Sequence, residues 1–387
     1  MRMLGKLEQW FAASESNAAG RLGLYRILYG LWFVWLLTKI DLEALAARPA
    51  PPPAPVGIIR ILELTGLMQH PGALSYGLAL GMGIGVTLLT FGLATRLSTL
   101  MVVVCSSILF AWDSSFGKVV DKYVLLGSLV PLWMLFSRWG ETHSLDALIR
   151  KRRGRPTPPA SESGWEFSWP LRAVLVFIAI LYFSSGYTKA VEGSWLHNPY
   201  VLLDKISDNL NHASVGQPSP MEMVLYSLAV RAPALFVVGQ YLALAFELSF
   251  PLALFRQDLR TIVFSAAAVF HTLTAIILGI GFAPMIIVLA IVVDWQTLYE
   301  RFRPLAGSRG NVPTRPLVLG LIGLALALSL GFGWLLTSHS ATTALFGFLP
   351  RQDGVWYLAT PFAALAGLRA ARSLTTDIRK KFFVSPA

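Results

Sequence analysis

The chain has one cysteine, Cys105, inside the apolar run MVVVCSSILF. A lone cysteine forms no internal disulfide and no cysteine metal cluster, so it reads as a small packing residue. Charge is also scarce. Only 14% of the 387 residues are Asp, Glu, Lys or Arg, against about 25% in an ordinary soluble domain. Acidic residues are the scarcer sign, 21 against 32 basic ones. The placement of that surplus excludes nucleic acid as a partner, because the basic residues fall between apolar blocks and not along one soluble face. Familiar catalytic signatures are missing too. There is no GxGxxG opening a helix after a strand, no Walker loop and no HExxH. The six histidines, at 70, 143, 197, 212, 271 and 339, include no pair at i, i+3 or i+4. No metal site is expected from that spacing.

What the chain has in quantity is apolar sequence: 55% hydrophobic residues and a mean hydropathy of +0.60. A spanning helix needs about twenty apolar residues. Blocks of that kind fall near 23–40, 75–93, 97–113, 122–138, 169–189, 233–255, 260–279, 281–295, 316–337 and 355–371. They predict an all-α, polytopic integral membrane helix bundle of about nine or ten transmembrane helices. With the N-terminus cytoplasmic, about two thirds of the 32 lysines and arginines fall on the inner side, as the positive-inside bias requires. Both termini are then cytoplasmic. MRMLGKLEQWFAASES is too polar for a signal-peptide core and reads as an amphipathic interfacial helix within residues 1–20, with Arg2 and Lys6 near the surface. Residues 21–372 form the transmembrane domain and 373–387 a basic tail. RKRRGRPTPPASESG (150–164) marks a flexible cytoplasmic linker over 139–168 that divides the bundle into halves.

Ionisable residues at membrane depth are few and face the bundle interior or a wet cavity. Glu247, in LALAFELSFPLALF, and His271, in AAAVFHTLTAIIL, occupy similar depths in consecutive antiparallel spans. A hydrogen bond between them serves either as a lock between helices or as a proton relay or ligand contact. At the outer side, Asp121 and Lys122 open the fourth span and Lys189 closes the fifth, with Tyr123, Tyr182 and Trp195 at about the same level. Two readings stand. One is an aromatic belt with snorkelling lysines. The other is the mouth of a site, where a lysine held against apolar surface gives up its proton more readily than one in water and works as a base.

RLGLYRILYG in the first span, GKVVDKYVLL at the fourth, YFSSGYTKAVEGSW in the fifth, and ELSFPL followed by a mid-membrane Phe-His together resemble the HTTM family, membrane domains related to vitamin K-dependent γ-carboxylase. The resemblance covers roughly residues 15 to 300. In those carboxylases a lysine in the YFSSGYTKAVEGSW-like motif deprotonates vitamin K hydroquinone. Oxygen then attacks, a strong alkoxide base forms, and a glutamate γ-carbon loses its proton and takes up carbon dioxide. The resemblance therefore implies Lys189 as base, with Asp121 and Lys122 at the site mouth. It implies Tyr182, Trp195, Tyr123, Glu247 and His271 around vitamin K hydroquinone or another membrane quinol. It also implies membrane lipid and a peptide or protein substrate as partners, in a bacterial cytoplasmic membrane. Where the family often carries a histidine at the start of the fourth span, this chain has Asp121, which accepts a hydrogen bond but does not donate as a neutral imidazole does. The large soluble domain that helps the carboxylases bind propeptide has no counterpart in the stretch after the resemblance. That stretch is two apolar segments and a basic tail. The alternative is a non-catalytic membrane scaffold, or a partner of a redox or secreted protein, on the same fold.

Overall fold

A computed structural model describes residues 9–37, 42–50, 52, 55, 58–116, 128–212, 220–278, 283–302 and 354–383. Among them the chain is helical and contains no strand. The main elements are α1 (Ala18–Leu37), α2 (Pro71–Phe91), α3 (Thr95–Ser114), α4 (Val130–Leu135), α5 (Leu145–Arg152), α6 (Trp165–Val191), α7 (Val201–His212), α8 (Pro233–Ser249), α9 (Gln257–Leu278), α10 (Trp295–Phe302) and α11 (Gly354–Phe383). A 3-10 turn, Phe250–Leu254, prolongs α8.

Four of these stretches are long and apolar enough to cross a membrane: α2, α3, α6 and Pro233–Leu254. They match four of the blocks read from the sequence. The block at 23–40 appears as α1, where Arg21 and Arg26 dilute the apolar run. The block at 260–279 appears as α9, whose first turns carry Asp258 and Arg260. Among the described residues the block at 281–295 holds the seven-residue helix Ala283–Leu289, a 3-10 turn and the first residue of α10. The block at 355–371 lies within the longer α11. The block at 316–337 and the start of that at 122–138 lie outside the described residues.

The described residues group into two compact units. The first runs to Val174 and includes α10. Its centre is the α2–α3 hairpin. Gly81 and Gly85 let the two backbones approach, since a Cβ at Gly81 would meet Cys105 Sγ at 3.0 Å and one at Gly85 would meet Met101 Cβ at 3.0 Å. Small residues in this role are the usual device for packing helices in lipid, and Cys105 is part of it. The turn passes through Gly92 at φ 66° and Ala94 at φ 47°. Asp146 of α5 caps the start of α3, accepting from Ala94 N at 2.9 Å, Thr95 N at 2.8 Å and Thr95 Oγ1 at 2.7 Å.

The segment 139–168 is not the free linker its composition suggests. It is tied to the start of α1 through Ala19 N to Glu162 O, Gly20 N to Ala160 O and Thr142 Oγ1 to Ala19 O. Arg26, fully buried, donates to the carbonyls of Trp139, Thr142 and His143. Backbone groups with no other partner in an apolar setting make such ties worth keeping. Before α1, Glu15 sits between Arg21 at 3.3 Å and Arg172 at 3.2 Å, and the Trp10 ring lies 4.9 Å from the Arg172 guanidinium carbon.

The second unit holds the rest of α6 with α7, α8, α9 and α11. Here α9 packs along α11 through small and hydroxyl side chains. Thr272 and Thr360 share a hydrogen bond at 2.6 Å, Thr360 also reaches Ala268 O at 3.1 Å, and a Cβ on Gly367 would meet Ser265 Cβ at 2.7 Å.

Candidate functional site

The second unit brings five of the predicted residues together. One face of α6 presents Tyr182, Ser185, Gly186 and Lys189, spaced by three or four residues so that they share a side. Gly186 sets how near α8 comes. A Cβ there would lie 2.9 Å from Glu247 Cβ and 3.1 Å from Leu248 N. That approach lets Lys189 Nζ donate to both oxygens of Glu247, at 2.5 and 2.6 Å, and to Ser185 Oγ at 2.8 Å. Ser185 donates in turn to Glu247 Oε1 at 3.3 Å. The carboxylate is 4% exposed and the lysine 28%. Glu247 thus forms the closed back of the group and Lys189 its open side.

Seven residues before Lys189 on the same face of α6, about two turns away, the Tyr182 hydroxyl hydrogen-bonds His271 Nε2 on α9. An aromatic cage fixes the phenol ring. Phe250 stacks on it with centroids 4.0 Å apart and planes 3° from parallel, and Phe246 meets it edge-on at 5.6 Å. The sequence suggested a Glu247–His271 bond. In the structure each of these residues bonds to α6 instead, Glu247 to Lys189 and Ser185, His271 to Tyr182. The fifth span is therefore the shared partner of the next two. Trp195 completes the group, its ring centroid 5.6 Å from Lys189 Nζ. Asp121, Lys122 and Tyr123 lie outside the described residues.

Three participants escape the sequence reading. Ser185 stands one turn before Lys189, inside the small-residue pair of the motif. Gly186 is its neighbour. Gln240, fully buried, donates to the carbonyls of Trp195 at 2.8 Å and Asn198 at 2.7 Å and accepts from Leu202 N at 3.1 Å. It anchors the loop that carries Trp195 to the face of α8 that bears Glu247. Its signal is periodic: Phe236, Gln240, Leu244 and Glu247 form the buried stripe of α8.

Replacing Gly186 by Ala is expected to push α6 and α8 apart, because the atoms a methyl would meet include backbone and a Cβ. The cost is about 1–3 kcal/mol, as for other overpacked contacts. Thermal unfolding of the detergent-solubilised chain reads it, and an unchanged midpoint would show that the helices are not in close contact there.

A family model described as HTTM domain matches residues 15–297. No curated protein and no solved structure matches the chain.

Proposed function

The chain belongs to the HTTM domain family of integral membrane proteins, and from that membership and the Lys189 site we propose that it oxidises a membrane quinol, with Lys189 as the base. The observation that carries the reading is the exposure of Lys189, 28% open beside a carboxylate partner that is only 4% exposed. A structural ion pair needs no open side, whereas a base must meet its substrate. The residues suit a quinol: an aromatic face at Trp195, hydroxyl and amine groups at Ser185 and Lys189, and apolar rings behind Tyr182. A quinol supplies two hydroxyl protons and two electrons, Lys189 takes the first proton, and family chemistry supplies oxygen as acceptor of the electrons and the second proton.

The chain's own residues act as follows. A proton passed from Nζ to the Glu247 carboxylate leaves an amine with a free lone pair beside a carboxylic acid. Lys189 then accepts a proton from a hydroxyl within hydrogen-bond reach. Glu247 holds the displaced proton, and Ser185 keeps both groups aligned. Tyr182 and His271 form a second hydrogen-bonded pair on the same face of α6. The membrane would be a bacterial cytoplasmic one with the site at its outer face and both termini cytoplasmic, an orientation supported by the charge bias of the sequence.

The test is turnover of a naphthoquinol by the purified chain in lipid nanodiscs. Lys189→Ala is expected to lower it by about 10²–10⁴-fold, the usual contribution of a positioned base. Equal turnover by the variant would remove Lys189 from the chemistry. A second reading, a non-catalytic scaffold, is favoured by the same tight contact taken as a clamp between α6 and α8. It predicts no turnover by the wild type.

A further inference from the structure

We propose that a cavity at the turn of the α2–α3 hairpin, in the first unit, binds the phosphate group of an anionic phospholipid. Its volume is about 470 Å³. It opens where the first turn of α3 faces the segment between α4 and α5. Three guanidinium groups line it, Arg96, Arg138 and Arg150, with two carboxylates, Glu141 and Asp146.

Both carboxylates are already committed. Asp146 caps α3 with three hydrogen bonds, and Glu141 pairs with Arg150 at 3.0 Å. Arg138 has a loose ion pair with Glu166 at 3.5 Å, and both side chains are well exposed. Among the described residues Arg96 has no ion-pair partner, and it too is exposed. Arg96 is thus left without an ion pair and Arg138 only loosely paired, beside a cavity whose Glu141 is salt-bridged and whose Asp146 is held by the start of α3. Guanidinium groups in that arrangement select oxyanions with several acceptor oxygens, phosphate foremost.

The surroundings choose the source of the phosphate. From the cavity rim, Leu97, Leu100 and Val104 continue along one side of α3. Leu132 and Trp133 do the same on α4, with Phe136 at its C-terminal cap, and α4 packs against α3. All six are exposed, Phe136 to 72%. A soluble phosphate has no use for apolar surface at its binding site. A phospholipid does, since its acyl chains must leave the phosphate along something apolar. Basic pockets between membrane helices are suited to such headgroups.

The test uses the full chain in detergent and compares three probes: phosphatidylglycerol, phosphatidylcholine and inorganic phosphate. Native mass spectrometry counts retained lipid, and phosphate serves as competitor. Wild type is expected to retain phosphatidylglycerol over phosphatidylcholine. Arg96→Gln and Arg138→Gln are each expected to weaken retention by about tenfold, the loss of one charge-assisted contact. Arg96→Gln breaks no ion pair of the fold among the described residues, so it carries the test if the Arg138 variant or the double variant is misfolded. Equal retention of both lipids, or undiminished phosphatidylglycerol binding by folded Arg96→Gln, overturns the proposal. Displacement by inorganic phosphate as readily as by free phosphatidylglycerol would assign the cavity to a soluble phosphate and overturn the lipid assignment.

Discussion

Replacing Lys189 by Met and Glu247 by Leu in one chain is expected to recover most of the stability that either replacement alone removes. Each single change leaves a charge without its partner. Lys189→Met strands a carboxylate that is 4% exposed, with Ser185 its remaining hydrogen-bond donor among the bonds described. Glu247→Leu strands an ammonium whose best acceptor is gone. Stranding a buried charge costs about 3–5 kcal/mol, the range expected for Lys189→Met, and less for Glu247→Leu, whose ammonium is 28% exposed, whereas removing both partners for apolar side chains of similar size is often close to neutral. Denaturant unfolding of the detergent-solubilised chain, analysed as a double-mutant cycle, measures the coupling. Additive losses would mean that the two groups do not sense each other. The same three variants separate the two functional readings. With Lys189 as base, quinol turnover is lost in all three, and the restored stability of the double variant shows that the loss is chemical. With the pair as a clamp only, turnover is absent from the wild type as well.

The residues of this site were legible one by one because membrane sequence contains so few like them. Lys189, Glu247 and His271 stand out against long apolar runs, and Tyr182 and Trp195 belong to the same motif region. Their pairing was not legible. Consecutive spans bearing one polar group each suggest that those groups meet, as Glu247 and His271 do on sequence alone. A helix that is apolar all round gives no indication of which side faces which neighbour. The close approach at Gly186 decides the matter, by bringing α6 near enough to engage Glu247. Gln240 escaped for a related reason, since a neutral amide in a span carries no charge to draw attention. The segment 139–168 misled in the other direction. Its Pro, Ser and Arg content is that of a free linker. What holds it is backbone bonding, such as Gly20 N to Ala160 O, together with side-chain donors to its carbonyls, and composition encodes neither. The arginine that grips it lies in α1, more than a hundred residues earlier.

That arginine gives the second large effect. Arg26→Met is expected to cost roughly 3–5 kcal/mol, in the range for removing one side of a buried charged contact. Methionine fills much of the same volume, so the loss falls on hydrogen bonding. Three carbonyls lose a charged donor at once: Trp139 at 3.0 Å, Thr142 at 3.4 Å and His143 at 2.6 Å. The last is the critical one. His143 adopts φ 50°, a left-handed conformation that costs a non-glycine residue about 1–2 kcal/mol. Its backbone is held there by Arg26, and its ring by Gln296 of α10 at 2.8 Å. Removing the guanidinium lets His143 relax, and relaxation of His143 loosens the path from Trp139 to α5. Arg26→Lys should fall between the two, keeping a charge but losing the fork that reaches several carbonyls together. Limited trypsin digestion reads the consequence directly, because RKRRGR at 150–155 supplies cleavage sites just beyond the gripped residues. Cleavage there is expected to accelerate in the order wild type, Arg26→Lys, Arg26→Met. Equal rates in all three would show that the segment is held by its own backbone bonds to α1 and not by the buried cation.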